Sequence, residues 1–365
     1  MRVKKIDRTF LLATVLLVIA GLIIFISAAF ALLTKTDASF GRIALKQIII
    51  GIVFGTVFLV IAARIPYGIW RRYAFYIFLC SIGITFLVFV PGLGFKHGGA
   101  YRWISIASLT LQPAEFLKIG AVIYFAAWAA AAKDKIRTLK FGLIPFVIIV
   151  GLCGAILLKQ PDTGTFLVLF SAVTGIYIAA GCRLRDLVIL LIGAALLIIF
   201  LAMTRPYLME RFKVFLNPAD NAQGSGYQIQ QSLLAIGSGG LTGRGFGQSI
   251  QKFNFLPEQI GDSIFSVAAE EFGFIGSVIL IGLYLFLVIR GMKIAGAVTD
   301  TFGRLLVVGI VILISAQAFI NIGSMLGVLP LTGIPLTFVS HGGTALFFAL
   351  LEAGIVLSVS RYRTI

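Results

Sequence analysis

Ten apolar stretches, each about as long as a bilayer is thick, constrain the fold of this chain more than any other feature. A helix needs about 20 apolar residues to cross the hydrocarbon core, and a helix satisfies all its backbone polar groups internally. With 59% hydrophobic and only 12% charged residues, the composition excludes a soluble globular enzyme and a disordered chain. The sequence therefore predicts an all-α polytopic membrane protein in which residues 1–365 form a single transmembrane domain. The predicted spans are 10–33, 44–63, 73–90, 113–132, 141–158, 164–181, 186–203, 264–289, 303–326 and 343–360.

The basic residues predict the orientation of these spans. If the N-terminus is cytoplasmic, most of the 30 Lys and Arg fall in cytoplasmic segments, and ten spans return the C-terminus to the same side. Short loops rich in Lys and Arg stay in the cytoplasm, so both termini are expected there. Because these residues are spread between spans, the net charge of +16 does not indicate a nucleic-acid partner.

The acidic residues have the opposite distribution. In this orientation, ten of the 14 lie outside the cell or within spans, the exceptions being Asp7, Asp134, Asp186 and Asp300. Any chemistry is therefore expected to face outward. The longest external segment is a loop at about 204–263, and a loop of that length in a tight bundle is usually functional. Segments 91–112 and 327–342 are expected beside it, above a cavity, because irregular backbone at membrane depth needs protein or water around it.

A first candidate site lies at the end of segment 91–112 and in the helix that follows it. Pro113 suits the first turn of a helix, which then carries Gln112, Glu115 and Lys118 on one arc. Charges inside a span mark a functional site by default, although Glu115 and Lys118 could simply form an ion pair at i, i+3. Arg102 lies upstream in Arg102-Trp103-Ile104, and a cationic pair of Arg102 and Lys118 would suit a phosphate or pyrophosphate.

Two aspartates follow loops at the mouths of spans. Asp262 ends the long loop, where a carboxylate near an apolar cavity can be tuned to act as a base. Asp162 lies in Gln160-Pro161-Asp162-Thr163-Gly164-Thr165. For both residues a helix cap is the alternative interpretation. Three further acids lie inside spans: Glu270, Glu271 and Glu352. At least one of Glu270 and Glu271 should face the bundle interior.

Prolines and glycines crowd the segment before the last span. Between Asn321 and Thr344 they predict a re-entrant or broken segment, in which His341 either titrates or, more simply, hydrogen-bonds. Metal-ligand spacing is absent from the sequence. A divalent cation, Mg²⁺ or Mn²⁺, assisting at a pyrophosphate is the only cofactor considered, and the sequence defines no ligand set for it.

In their order along the chain, these motifs resemble the SEDS family (shape, elongation, division and sporulation), which includes FtsW, RodA and SpoVE. The matching stretches are Arg102–Lys118, Gln160–Thr165, Gly224–Gly247, Leu256–Gly276 and Asn321–Gly343. Segment Gly245–Lys252 looks more like FtsW than RodA. The chain departs from the family where Ile260-Gly261-Asp262-Ser263 replaces the common His-Thr-Asp-Phe, and where His341 and Thr344 replace tyrosine and serine.

The resemblance implies a peptidoglycan glycosyltransferase that acts on lipid II at the outer face of the bacterial cytoplasmic membrane. It implies inverting transfer from a glycan on undecaprenyl pyrophosphate, with Asp262 as the essential aspartate and candidate base. It also implies cavity-lining roles for Arg102, Gln112, Glu115, Lys118 and Asp162. Expected partners are a class B penicillin-binding protein and other divisome or elongation-complex membrane proteins, with the division septum as the expected location. A lipid II flippase and a non-catalytic scaffold are the alternatives.

Overall fold

The computed structural model describes residues 5–31, 41, 43–45, 47–97, 100–106, 109–217 and 224–363. Asp37 and Asp220, which the sequence places outside the membrane, lie beyond these residues. The helices in the described part of the chain are α1 (Arg8–Phe30), α2 (Gly55–Arg64, preceded by a π-helical segment Gln47–Phe54), α3 (Gly68–Phe86), α4 (Pro113–Ala132), α5 (Ile144–Lys159), α6 (Thr163–Ala179), α7 (Leu184–Thr204), α8 (Pro206–Leu216), α9 (Ser225–Ser238), α10 (Ile264–Gly296), α11 (Thr301–Met325) and α12 (Gly343–Ser360).

The helices confirm the polytopic all-helical prediction. Nine helices in the described residues are long and apolar enough to cross a membrane, and the remaining predicted span, 164–181, corresponds to the shorter apolar helix α6. Most of α4, α11 and α12 is buried, so these three helices form the centre of the bundle. Helix α7 is almost entirely exposed and presents large apolar side chains outward, including Leu191, Leu196 and Phe200. That surface is compatible with lipid and not with water.

The external segments contain structure that the sequence analysis did not predict. Segment 91–112 forms a three-stranded antiparallel sheet in the order β1 (Gly94–His97), β2 (Ala100–Ile106), β3 (Leu109–Leu111). The sheet leads directly into α4, where Gln112 is the N-cap residue and Pro113 opens the first turn as predicted. The long loop carries two helices, α8 and α9. The chain before α12 is irregular, as its glycines and prolines predict, with no helix at 330–336.

Helix α10 is interrupted at Gly273, which has φ 66° and ψ −163°. The long loop pairs with the helix at this break. The amides of Arg244 and Gly245 donate to the carbonyls of Glu270 and Glu271, both at 3.0 Å. On the other side of the break, the Phe274 amide donates to the Gly240 carbonyl at 2.9 Å. A Cβ on Gly273 would lie 2.3 Å from the Gly243 nitrogen, so both the positive φ and this close approach require glycine.

Candidate functional site

Five charged side chains from four separate elements come together around Asp262. Arg102 comes from β2, Asp162 from the start of α6, Arg211 from α8, and Glu258 and Asp262 from the end of the long loop. The charge on Asp262 interacts with those of the other four residues, and Arg211 interacts with Arg102 and Asp162 as well. We refer to these five residues as the outer cluster. It gathers two guanidinium groups and three carboxylates at one end of the bundle.

Hydrogen bonds from α11 and from the segment between α11 and α12 hold the Asp262 loop in place. The Asn321 amide nitrogen donates to the carbonyls of Asp262 and Ile334, both at 2.8 Å. The Ser340 hydroxyl donates to the Gly261 carbonyl at 2.7 Å. The His341 backbone amide donates to the Ile260 carbonyl at 2.7 Å. The broken segment predicted from its prolines and glycines is thus a support for the Asp262 loop.

A tight turn then presents the Asp262 side chain. Glu258 has a left-handed φ of 49°, which is uncommon for a residue other than glycine. Its carbonyl accepts from the Gly261 amide at 3.0 Å and from the Ser263 amide at 3.1 Å. Backbone conformations of this kind concentrate at functional sites, where the surrounding structure holds them.

The surroundings of Asp262 favour its neutral form. The side chain is half-buried, and its desolvation is the largest effect on the carboxyl. The negative charge of Glu258 raises the pKa of Asp262 further, while the positive charges of Arg102 and Arg211 lower it. Together these effects raise the pKa of Asp262 to about 6. A carboxylate with a pKa nearer to neutrality accepts a proton more readily than an ordinary aspartate.

Arg211 is a member of the outer cluster that was not predicted from the sequence. Its Nη1 donates to the Leu331 carbonyl at 2.9 Å. A Cβ built on Gly333 would lie 3.4 Å from Asp262 Oδ2 and 3.6 Å from Arg211 Nη2, so the arginine and the aspartate flank the same glycine. Burial and the nearby Arg102 charge lower the pKa of Arg211. The sequence signal that could have indicated the helix carrying Arg211 is Pro206, because proline is favoured in the first turn of a helix.

Arg102 and Asp162 meet at the turn between α5 and α6. Arg102 donates to the carbonyls of Gln160, at 3.4 Å, and Pro161. Asp162 Oδ1 accepts from the Thr165 amide at 3.2 Å, which is the helix cap considered as the alternative interpretation. Its Oδ2 is buried and has no hydrogen-bond partner among the described residues. Asp162 therefore caps α6 and also adds an unsatisfied acceptor to the outer cluster.

Glu115 and Lys118 lie in a second, deeper group. They form the i, i+3 ion pair that was the alternative interpretation of these residues, at 2.9 Å, and both side chains are buried. Lys118 also donates to Gln317, whose amide nitrogen donates to the Pro335 carbonyl at 3.1 Å. Glu352 is buried within reach of both charges, and its Oε1 has no hydrogen-bond partner in the described chain. We call Glu115, Lys118, Gln317 and Glu352 the inner cluster.

The structure separates residues that were expected to lie together. The predicted cationic pair of Arg102 and Lys118 is divided between the two clusters. Lys118 is neutralised by Glu115 within the inner cluster, and Arg211 is the cation that accompanies Arg102 in the outer one. Gln112 is buried at the start of α4, one turn before Glu115. Within the described residues its side chain makes no hydrogen bond to either cluster. The two clusters are linked through α11, where Gln317 and Asn321 are one turn apart.

The outer cluster mixes three carboxylates with two guanidinium groups, a composition that does not favour a resident metal ion. No three His, Cys, Asp or Glu side chains in the described residues come together as ligands. Asp162 and Asp262 share their site with two guanidinium groups, which attract anions and repel cations. The divalent cation considered from the sequence stays a prediction.

Comparisons with known proteins agree with this architecture. Residues 7–365 match the family described as cell cycle protein, comprising FtsW, RodA and SpoVE. A probable peptidoglycan glycosyltransferase FtsW of Trichlorobacter lovleyi is 38% identical, over 98% of this chain and 94% of the relative. Stage V sporulation protein E of Bacillus subtilis is 36% identical, over 98% and 97% of the two chains.

Solved structures give the same result. A chain of a peptidoglycan synthase complex, studied for the coordination of polymerization and crosslinking, has a TM-score of 0.82 at 26% identity, covering 98% of both chains. The rod shape determining protein RodA of Thermus thermophilus has a TM-score of 0.72 at 25% identity, covering 98% of this chain and 97% of RodA. The chain is a multi-pass membrane protein that belongs to the SEDS family.

Proposed function

We propose that this protein is a peptidoglycan glycosyltransferase that polymerises lipid II into β-1,4-linked glycan strands at the outer face of the cytoplasmic membrane. The observation that carries the proposal is the outer cluster, in which an aspartate with a pKa raised to about 6 lies beside two arginines. The relatives called peptidoglycan glycosyltransferases support it through their similarity over nearly the whole chain.

In this reaction the acceptor is the 4-hydroxyl of the N-acetylglucosamine of lipid II. The donor is a growing glycan on undecaprenyl pyrophosphate. Asp262 takes the hydroxyl proton as the oxygen attacks the donor's anomeric carbon from the face opposite the leaving group. The new glycosidic bond forms as the bond to pyrophosphate breaks, which inverts the anomeric configuration. A positioned base of this kind contributes about 10²–10⁴-fold to the rate.

Arg102 and Arg211 stabilise the departing pyrophosphate. Their guanidinium groups approach closely enough to repel each other, so an anion between them removes an unfavourable interaction as well as gaining two favourable ones. Positive charge placed where negative charge develops lowers the barrier to the transfer. The inner cluster lies beneath this site, where Glu115 neutralises Lys118.

The pH dependence of polymerisation should report Asp262. A base must be ionised, so the rate should fall as pH decreases through about 6, the pKa of this carboxyl. The measurement is the initial rate of lipid II polymerisation between pH 5 and 8 at constant ionic strength. Arg211→Gln removes a charge that holds this pKa down, so its profile should shift to higher pH. A profile flat from pH 5 to 8 in the wild type would contradict the assignment.

Replacing Arg211 tests the cation that sequence reasoning missed. Arg211→Lys keeps the charge but loses the planar group that bonds the Leu331 carbonyl, and Arg211→Gln loses the charge as well. We expect polymerisation to fall by about 10-fold for the first and about 10²-fold for the second, because one charge-assisted contact to a phosphate is lost. Lys213→Gln, an exposed change on the same helix, is the matched control and should leave the rate unchanged.

The partner and location follow from the same proposal. The structural relative in a peptidoglycan synthase complex supports a class B penicillin-binding protein as the partner that crosslinks the new strands. The distribution of basic residues supports cytoplasmic termini, with Asp262 facing outward. FtsW-like sequence features support the division septum, within the divisome, over an elongation complex.

Reconstitution separates the polymerase from its alternatives. The purified protein, with and without its transpeptidase partner, is incorporated into vesicles that carry labelled lipid II. We expect glycan chains to form under these conditions. Transfer of labelled lipid II between leaflets without polymer would favour a flippase, for which the inner cluster would supply polar groups. Absence of both activities in the complex would favour a scaffold.

A further inference from the structure

An apolar groove lies at the end of the bundle opposite the outer cluster. Asp7, just before α1, bonds Arg290 near the far end of α10, while Ser27 near the other end of α1 bonds Glu271 close to the Asp262 loop. These contacts show that Asp7 and Arg290 lie at one end of the bundle and that Ser27, Glu271 and the Asp262 loop lie at the other. The groove has a volume of about 530 Å³ and runs between α1, α2 and α12. Its walls are mostly branched apolar side chains, among them Leu11, Val15, Leu59, Val60 and Leu350.

Basic side chains surround the mouth of this groove. The groove shares Ile6, Leu11, Val15 and Arg361 with an open depression that also contains Lys5 and Arg8. Arg64, the last residue of α2, completes a set of four cations at the ends of three helices. Acidic residues are absent from both linings as the described residues form them.

One of these cations is fixed at the mouth by hydrogen bonds, and the nearest acid does not neutralise the set. Arg361 Nη1 donates to the carbonyls of Ala63, at 3.2 Å, and Arg64, at 3.3 Å, which fixes its guanidinium beside α2. Asp7 is the acid next to Arg8 in sequence, but its carboxylate is buried and bonded to Arg290 and Arg363. Arg8 and Arg64 are both exposed.

We infer that this groove binds an anionic phospholipid of the leaflet at the basic end of the bundle. The phosphate of such a lipid lies at the depth of the helix ends, where Lys5, Arg8, Arg64 and Arg361 are gathered. Its acyl chain lies at the depth of the apolar walls. Basic pockets between transmembrane helices recognise lipid headgroups through the same combination. A partner helix fits less well, because helices associate in membranes through small residues that allow close approach, and most of the residues that line this groove are large branched apolar ones.

The test measures lipid retention by the purified full-length protein. Native mass spectrometry, or a titration in nanodiscs, compares phosphatidylglycerol with phosphatidylcholine of identical acyl chains. The wild type should bind phosphatidylglycerol selectively. Arg8→Gln/Arg64→Gln should weaken that binding by about thirtyfold, taking about 1 kcal/mol for each basic residue near the headgroup. Arg8→Lys/Arg64→Lys should restore it, because the charge is what the lipid recognises.

Two further variants distinguish the groove from general surface charge. Arg72→Gln/Lys140→Gln removes two exposed cations from the same end of the bundle but outside the groove, and should retain wild-type binding. Val15→Trp fills the groove without changing charge and should displace the lipid. Equal binding of both lipids by the wild type would overturn the inference. Unchanged binding by Arg8→Gln/Arg64→Gln or by Val15→Trp would also overturn it. The inference would fail as well if a second copy of the protein occupied the groove in place of lipid.

Discussion

Replacing Asp262 with asparagine is expected to reduce the rate of lipid II polymerisation by about 10²–10⁴-fold. The amide has the size of the carboxylate but cannot accept the hydroxyl proton. The contacts that position this residue are unaffected, because Asn321 bonds the Asp262 backbone carbonyl and not its side chain. The measurement is the initial rate with saturating lipid II in the presence of the partner protein. Asp134→Asn, an exposed change between α4 and α5, is the matched control.

The stability of the same variant provides an independent readout. The pKa of Asp262 is raised from 3.8 to about 6, so the folded state binds a proton more tightly than the unfolded state. Such a carboxyl stabilises the fold at low pH, and that stability is lost as pH rises from about 4 to about 6. At neutral pH, the free energy of unfolding of Asp262→Asn should therefore exceed that of the wild type by on the order of 1 kcal/mol, and its unfolding midpoint should be slightly higher. An inactive but destabilised variant would indicate a structural role, and a fully active one would remove Asp262 from the mechanism.

The transmembrane architecture could be predicted from the sequence because each span is a local property. Twenty consecutive apolar residues require no knowledge of their neighbours, and each of the ten predicted spans contains a helix in the described part of the chain. The strands and the loop helices α8 and α9 were missed for the opposite reason. Their apolar stretches are short, and segments of this length are ambiguous without knowledge of what they pack against.

The candidate site was predictable only where its residues are neighbours in sequence. The Glu115–Lys118 ion pair follows from helical spacing, and the cap at Asp162 follows from its position before α6. The partnership of Arg102 with Arg211 joins residues more than 100 positions apart, and no local rule predicts it. The same is true of Gln317 and Glu352, which complete the inner cluster from two later helices.

The acids Glu270 and Glu271 show a different outcome. The sequence predicts that at least one faces the bundle interior, and both are buried. Glu270 accepts from the Ser249 hydroxyl at 2.6 Å and from the amides of Ile250 and Gln251 at 3.0 and 3.2 Å. These contacts fold the end of the long loop against α10. They explain why carboxylates occur two turns into a span without being placed in the outer cluster.

Replacing Lys252 with methionine is expected to destabilise the protein by about 3–5 kcal/mol, because it leaves a buried carboxylate without its counter-charge. Lys252 and Glu271 are both fully buried and form an ion pair at 2.7 Å. The ammonium also donates to the Ser27 hydroxyl at 3.0 Å and to the Gly247 carbonyl at 2.9 Å. Removing it takes away the one group that bonds α1, α10 and the long loop together at this point, and leaves the Ser27–Glu271 hydrogen bond.

Thermal unfolding followed by tryptophan fluorescence measures this effect, and the midpoint should fall on the order of 5–10 °C. Lys252→Met/Glu271→Met should recover most of the loss, because neither charge is then buried alone. The exposed Lys213→Met is the matched control and should unfold like the wild type. A single variant as stable as the wild type would show that water reaches Glu271. Asp262→Asn should lower the rate without lowering the stability, whereas Lys252→Met should lower the stability and keep the activity at low temperature. The pair therefore separates the chemistry of the loop from its attachment to the bundle.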